Sequence, residues 1–409
     1  MTARIAATAN VRRIATFAVF GGAAAFSGAA AAQGSITLSG IVDGGFGYSS
    51  NVRVAQTAGA AGTPAVYVGQ PSYGFQSGTW NGDRWRLIGS EDLGAGRRAL
   101  FDFENGFNLG TGAAGQSGRL FGRQAWMGIA DENLGTLTLG RQYDAIVDMV
   151  GAIGPTSFLT GMAAHPGDID NVDNNARINS SIKYASPQRY GLQFEAVYGF
   201  GGEAGSVAAR NAWSVGLAYR EGPLNLAAAY LHANSDAAQG AWNGIYDGYY
   251  SSSINEGFAS AARLDVFAAA LTYRYRALTA GLNWSNARYD SGAGSLFAGS
   301  AIFDTVQATL SWQATAALRV AGGYGYTHRS AVSDAGSAQY HEFNLSAFYA
   351  LSKRTWLYGL VGYQQASGAT LDAWGNAVAA TASLGDVSNG ASSANGRQVV
   401  ARLGLRQLF

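Results

Sequence analysis

Residues 278–285 read Leu-Thr-Ala-Gly-Leu-Asn-Trp-Ser, and residues 305–312 read Thr-Val-Gln-Ala-Thr-Leu-Ser-Trp. In the first, Leu278, Ala280, Leu282 and Trp284 alternate with Thr279, Gly281, Asn283 and Ser285. In the second, Val306, Ala308, Leu310 and Trp312 alternate with Thr305, Gln307, Thr309 and Ser311. Successive side chains of a strand point to opposite faces. Each segment therefore predicts a strand with one apolar face and one small polar face. The pattern recurs in both directions along the chain. Leu192, Phe194, Ala196, Tyr198 and Phe200 share a face, as do Trp213, Val215, Leu217 and Tyr219, and at the end Val399, Ala401, Leu403, Leu405 and Phe409. A slip of one residue would exchange the two faces, so these registers are strongly specified.

About sixteen such strands are expected, with bounds good to a few residues. They fall near 35–50, 83–91, 97–107, 120–130, 136–143, 177–186, 191–200, 212–220, 224–232, 263–275, 278–289, 304–312, 318–329, 339–350, 355–365 and 396–409. Only 355–365 has ambiguous facing. Connections alternate between short turns, such as 92–96, 131–135 and 221–223, and long loops at 51–82, 144–176, 233–262 and 366–395. The apolar face ends in aromatics, as at Tyr273, Tyr275, Tyr324, Tyr326 and Tyr349. Aromatic girdles, short turns at one end and long loops at the other are features of a closed membrane-spanning antiparallel barrel, all-β in class. A soluble sandwich would bury those aromatic ends.

The composition agrees. The chain has 409 residues with Gly 57, Cys 0 and 13% charged residues. Soluble domains average roughly a quarter charged. Zero Cys excludes disulfide scaffolds, zinc-thiolate sites and cysteine nucleophiles. Past the N-terminus no apolar run approaches the roughly 18 residues of a membrane-crossing helix. Lys occurs only at Lys183 and Lys353, so the basic residues are overwhelmingly Arg. No basic run suggests nucleic acid. Arg4, Arg12 and Arg13, the apolar stretch 14–26 and Ala30-Ala31-Ala32 form a secretory signal pattern. The expected division is a signal peptide, 1–32, and a barrel, 33–409.

Several motifs carry a family resemblance. They are Ser90-Glu91-Asp92-Leu93-Gly94-Ala95-Gly96, Leu120-Phe121-Gly122-Arg123-Gln124-Ala125-Trp126-Met127-Gly128, Gly140-Arg141-Gln142-Tyr143-Asp144, His165-Pro166-Gly167-Asp168 and Arg177-Ile178-Asn179-Ser180-Ser181-Ile182-Lys183-Tyr184. In this order, across the mature chain, they resemble the Gram-negative outer-membrane general porins of betaproteobacterial type. The resemblance implies a homotrimer of 16-stranded barrels, each with its third outer loop folded inward, passing small hydrophilic solutes and ions by passive diffusion. The final Phe409 resembles the signal read by the barrel-assembly machinery, although Gln407 and Leu408 depart from the usual terminal segment.

Parity locates the lumen charges. Trp85 and Leu87 outward put Arg84 and Arg86 inward, and Trp126 outward puts Arg123 inward. Ile178, Ser180, Ile182 and Tyr184 outward put Arg177, Asn179 and Lys183 inward. An Arg facing mid-bilayer lipid would cost about 2–4 kcal/mol, which decides the register. Arg84, Arg123 and Arg177 match the basic wall of the family's constriction, and Arg86 stands where Gly is more usual. The opposing wall is expected in loop 144–176, with Asp144, Asp148 and Ser157 as candidates; Asp168, Asp170 and Asp173 lie on its descending part. Lumen-facing Asp102 and Glu104 are grouped with that acidic side. The tip, 151–161, has no carboxylate, so the constriction is expected to be net positive and to prefer anions.

A substrate-selective channel for organic anions or phosphate is the alternative. Lumen-facing aromatics are few by parity, which counts against it. A barrel enzyme needs a nucleophile, a His and an acid at one rim, and the four His are scattered. His165 near Asp168 reads as loop stabilisation, and Asp43 as a lumen acid serving an Arg. No catalytic residue, cofactor or metal is expected. The expected partners are solutes, inorganic ions, outer-membrane lipid and copies of the chain.

Overall fold

A computed structural model of the chain describes residues 34–235, 245–386 and 390–409. The expected signal peptide, 1–32, lies outside the described residues. Its strands are β1 (Ser35–Thr57), β2 (Val66–Ser77), β3 (Arg84–Gly94), β4 (Arg97–Gly106), β5 (Gln124–Asp131), β6 (Gly135–Gln142), β7 (Arg177–Ala185), β8 (Leu192–Gly199), β9 (Ala212–Glu221), β10 (Leu224–Asn234), β11 (Tyr246–Asp247), β12 (Arg263–Tyr275), β13 (Leu278–Asp290), β14 (Ser300–Gln313), β15 (Leu318–Arg329), β16 (Ala338–Ala350), β17 (Thr355–Leu371), β18 (Ala377–Ala379) and β19 (Arg397–Leu408). Neighbours are antiparallel. β19 pairs back onto β1, from Ile41 opposite Leu408 to Ser49 opposite Val400. The sheet thus closes without an exposed edge.

β2 and β3 are two halves of one stave of the barrel. β3 pairs with β1 from Ser35–Ser90 to Ile41–Arg84, and β2 from Gly44–Ser77 to Thr57–Val66. With β11 and β18 as short additions within loops, the barrel has 16 staves. This corrects the expected long loop at 51–82, most of which is a β-hairpin. The Ala/Gly-rich turn hides the alternation on either side of it. Between the halves, residues 78–83 leave the sheet. Gly78 has φ +68°, and a Cβ there would lie 2.8 Å from Gly82 Cα. A glycine is what permits that close turn.

The faces follow the sequence pattern. Leu282, Trp284, Leu310, Trp312, Leu403 and Leu405 are exposed on the outside, whereas Asn283, Ser285, Thr305, Gln307 and Gln398 are buried within. The ambiguous strand, β17, turns Trp356, Tyr358 and Leu360 inward against other aromatics and the third loop. Both of its faces are apolar because its inner face packs against protein.

The third loop, 144–176, folds into the barrel. Its first turn, Ile146–Val150, buries Ile146, Met149 and Val150 against inward alanines of β9, β10 and β12. Burying such a side chain contributes about 1.5–3 kcal/mol. Room is made by small residues: a Cβ on Gly216 would stand 2.9 Å from Ala145 Cβ. Further along, the Phe158 carbonyl accepts from Arg319 at 2.8 Å, and Gly161 N–H donates to the Trp80 carbonyl at 3.2 Å. On the return, Tyr289 donates to the Ile169 carbonyl at 2.6 Å.

Candidate functional site

Inside the barrel two cavities meet at Arg84. One, about 710 Å³, lies toward the chain end and is lined by Arg84, Arg86, Gln124, Trp126, Asp148 and Lys183 among others. The other, about 360 Å³, lies toward the long loops and is lined by Trp80, Arg84, Arg123, Asn174 and Arg177 among others. Arg84 borders both.

Arg84 and Arg86 point inward from β3, as parity requires. Arg84 reaches Glu104 at 3.3 Å, and Arg86 is bound to Asp102. Arg123 precedes β5, so strand parity does not govern it. Its Nε donates to the same Glu104 at 2.8 Å, its Nη2 to Asn174 at 3.3 Å, and its guanidinium lies 5.9 Å from the Tyr143 ring centre. Trp126 is not outward. It borders the larger cavity and donates to Gln124 at 3.1 Å, because Gln124 and Trp126 share the lumen parity of β5 opposite Glu104 and Asp102.

Arg177 is buried over the other side of the Tyr143 neighbourhood, 5.4 Å from that ring centre. It donates to Asn174 Oδ1 at 2.8 Å and the Asn175 carbonyl at 3.1 Å. Ile178 is buried in the loop-covered core, not lipid-facing. The cause is a bulge: Ser180 has φ +47°, and the β6–β7 register shifts between Gly140 and Gln142. Such a bulge reverses the facing of the residues beyond it. Lys183 lies below the bulge and faces in, bound to Asp148 and 3.5 Å from Glu195.

The acidic side differs from the expectation. Asp102 and Glu104 stand on β4 within the basic wall, as the counter-ions of Arg86 and of Arg84 with Arg123. They do not oppose it. Asp144 is fully buried beneath the loop, where it accepts from the Ile146 and Val147 N–H groups and from Asn171. It ties the loop down and lines neither cavity. Burial pushes its carboxyl up to about 6. Asp148 does line the larger cavity. Ser157 is exposed at the tip, with its hydroxyl donating to the Gly154 carbonyl at 2.6 Å. His165 pairs with Asp170 at 2.5 Å, not with Asp168, and Ser285 also binds Asp170. Burial pushes Asp168 up to about 7, with Asp170 adding to the rise. Among the described residues no group of three or more His, Cys, Asp and Glu is disposed to hold a metal.

Sequence reading missed a second basic region. Arg319 on β15 and Arg406 on β19 lie beside Trp80, Phe348 and Trp356. Arg402 donates to the Tyr48 carbonyl and, at 2.9 Å, to Ser49. Among the described residues, Arg177, Arg319, Arg402 and Arg406 have no carboxylate within salt-bridge distance. The lumen aromatics are therefore not few. Trp80, Trp126, Phe348, Trp356 and Tyr358 all turn inward. The signal for Arg402 and Arg406 was present, since both alternate with outward leucines. Trp80 gave none, because it lies on the excursion 78–83. Asp43 serves no Arg by hydrogen bond. It accepts from Trp80 N–H at 2.6 Å, Asn81 N–H at 3.2 Å and the Tyr358 hydroxyl at 2.6 Å, fixing that excursion inside the barrel.

A closed antiparallel barrel with an apolar exterior, a charged interior and one loop folded within defines a membrane-spanning porin barrel. The chain belongs to the Gram-negative porin family, whose sequence pattern matches residues 16–369, and so to the outer membrane. An outer membrane porin protein of Bordetella pertussis is 37% identical over 219 residues; the match spans 50% of this chain and 56% of that one. In three dimensions the chain resembles the anion-selective porin from Comamonas acidovorans, with TM-score 0.68 and 20% identity, covering 92% of this chain and 100% of that one. It also resembles the trimer form of OmpT, an outer membrane protein of Vibrio cholerae, with TM-score 0.60 and 13% identity over 92% and 99% of the two chains.

Proposed function

We propose that the protein is a passive channel for small hydrophilic solutes and ions, that it favours anions, and that the passage beside Arg84 is its constriction. The observation carrying this reading is the imbalance of counter-ions. Arg84 and Arg123 share one carboxylate, and Arg177, Arg319, Arg402 and Arg406 are in no salt bridge among the described residues. The tip of the third loop adds hydroxyls and backbone but no acid. A guanidinium stays charged at every physiological pH. Its excess in a narrow aqueous passage raises the local anion concentration. Screening beyond about 8 Å at physiological salt keeps the bias moderate. The selectivity of the Comamonas porin supports the sign.

No catalytic step belongs to this reading. The leader 1–32 is cleaved on export, the mature barrel assembles as a homotrimer as the OmpT trimer form does, and Phe409 serves recognition by the assembly machinery. The test is the reversal potential of the purified protein in a planar bilayer across a KCl gradient. An anion-selective sign is expected, with conductance steps in threes. A cation-selective sign overturns the reading.

A further inference from the structure

One wall of the lumen joins charge to aromatic surface. Trp80 packs on Phe348 with ring centres 4.3 Å apart, and meets Trp356 edge-on at 6.1 Å and Tyr358 at 5.8 Å. The Arg406 guanidinium lies 4.3 Å from the Trp80 ring centre and 5.5 Å from that of Trp356. The Arg319 guanidinium lies 4.0 Å from Phe348 and 5.7 Å from Trp80. A guanidinium stacked on a ring is held flat, with its N–H edge left for an anion. Arg406 makes no hydrogen bond and no salt bridge among the described residues, and its Nε is buried without a partner. Its charged neighbours are Asp43, Arg84 and Arg319. Of these the single carboxylate, Asp43, is already occupied by Trp80, Asn81 and Tyr358. Trp356, Arg319 and Arg406 are half-buried, so each keeps part of its surface accessible. Arg319 is also bonded to the Phe158 carbonyl, which puts the cluster against the tip of the third loop.

We propose that Arg406, Arg319, Trp80 and Trp356 form a lumen subsite for aromatic carboxylates. The carboxylate binds the Nη groups of the Arg406 guanidinium and the flat ring of the solute lies against Trp356. Such solutes cross by a saturable binding step, whereas chloride and small aliphatic anions pass without one. Chloride uses only the charge; an aromatic acid uses both the charge and the apolar wall. The proposal rests on the anion-channel reading and names a solute class for it.

The experiment is planar-bilayer recording of the purified, assembled protein in KCl with added sodium benzoate, acetate or cyclohexanecarboxylate. Benzoate is expected to reduce chloride current with a saturating concentration dependence, acetate to leave it unchanged, and cyclohexanecarboxylate to act more weakly than benzoate. Trp356→Leu is expected to raise the half-blocking benzoate concentration about five- to tenfold, the scale of a lost aromatic contact near 1 kcal/mol, with the KCl reversal potential unchanged. Trp356→Phe keeps a ring and is expected to retain most of the block, which separates loss of the subsite from loss of the fold. Arg406→Gln is expected to weaken block and also lower anion preference. Equal block by acetate and benzoate, or undiminished benzoate block in both Trp356→Leu and Arg406→Gln, overturns the subsite. A cation-selective reversal potential in the unaltered protein instead overturns the channel reading beneath it.

Discussion

The two sides of the lumen hold comparable numbers of cations and use them differently. On β3 to β8, Arg84, Arg86, Arg123 and Lys183 are salt-bridged to Asp102, Glu104, Asp148 and Glu195, while Arg177 is in no salt bridge among the described residues. On β15 to β19, Arg319, Arg402 and Arg406 have carbonyls, a hydroxyl and aromatic rings around them, but no salt-bridged carboxylate among the described residues. The first wall is rich in arginine and poor in net charge. The second has fewer cations, and none of them is in a salt bridge among the described residues. The potential of a channel follows its uncompensated charge, so counting arginines on the first wall alone would misplace the origin of the proposed anion preference.

Substitutions can break this contrast, beginning with the aromatic support of the second wall. Trp80 is 7% exposed and packs against Leu159, Met162 and Phe348. Trp80→Ala is expected to cost about 3–5 kcal/mol in barrel stability, seen as a lower thermal unfolding midpoint in detergent, and to loosen the third loop that rests on it. An unchanged midpoint would deny Trp80 that supporting part. The next largest effect is electrostatic. Unit charges about 8 Å apart interact by roughly 2 kcal/mol at an effective dielectric near 20. The double change Arg319→Glu with Arg406→Glu is expected to abolish or reverse anion preference, read as the sign of the KCl reversal potential. If the sign survives, the free charge that matters lies elsewhere.

The loop between the walls adds a pH dependence. Asp144 is pushed up to about 6 by burial, Asp168 to about 7 by burial and its neighbour Asp170, and Asp173 well above its usual range by burial and then Asp386. His165 is raised: burial opposes its charge, and Asp170 outweighs that. Groups whose folded pKa is raised hold their proton better in the packed loop. Their stabilisation is complete below the unfolded value and is lost as pH rises through the folded one. Asp170 is the opposite case, held low by His165 and Ser285 against burial, so it loses its contribution only in stronger acid. Lowering the pH from 8 to 5 is therefore expected to tighten the loop, measured as reduced open-channel current noise. Asp168→Asn should flatten the trend, and noise that grows toward pH 5 would contradict it. The smallest effect sharpens the comparison most. Removing the neutral pair with Arg86→Gln and Asp102→Asn together is expected to leave the reversal potential nearly unchanged, while Arg406→Gln alone shifts it. Equal shifts would mean that the two walls do not differ.

Parity places residues on uninterrupted strands. Arg84 and Arg86 faced inward because Trp85 and Leu87 belong to the opposite face. The same reasoning failed at Trp126 and Ile178, in each case near a break in periodicity. Arg123 precedes its strand, and Ser180 is bulged. Parity carries no information across such points. Parity places Asp102 and Glu104 in the lumen but not on the basic wall where the structure has them, because a period-2 pattern gives the face of a residue and not its neighbour across the channel.

The sequence by itself determined the barrel, the outward and inward faces of the uninterrupted strands, the side on which long loops lie and the absence of acid at the loop tip. All of these are local properties of alternation and composition along one strand or turn. The tertiary structure alone decided which charges are neutralised. Glu104 meets Arg123 across 19 positions, Asp43 holds Tyr358 across 315, and Arg319 reaches Phe158 across 161. Barrel closure and the inward loop bring those groups together, and no periodicity along the chain records distances across a lumen.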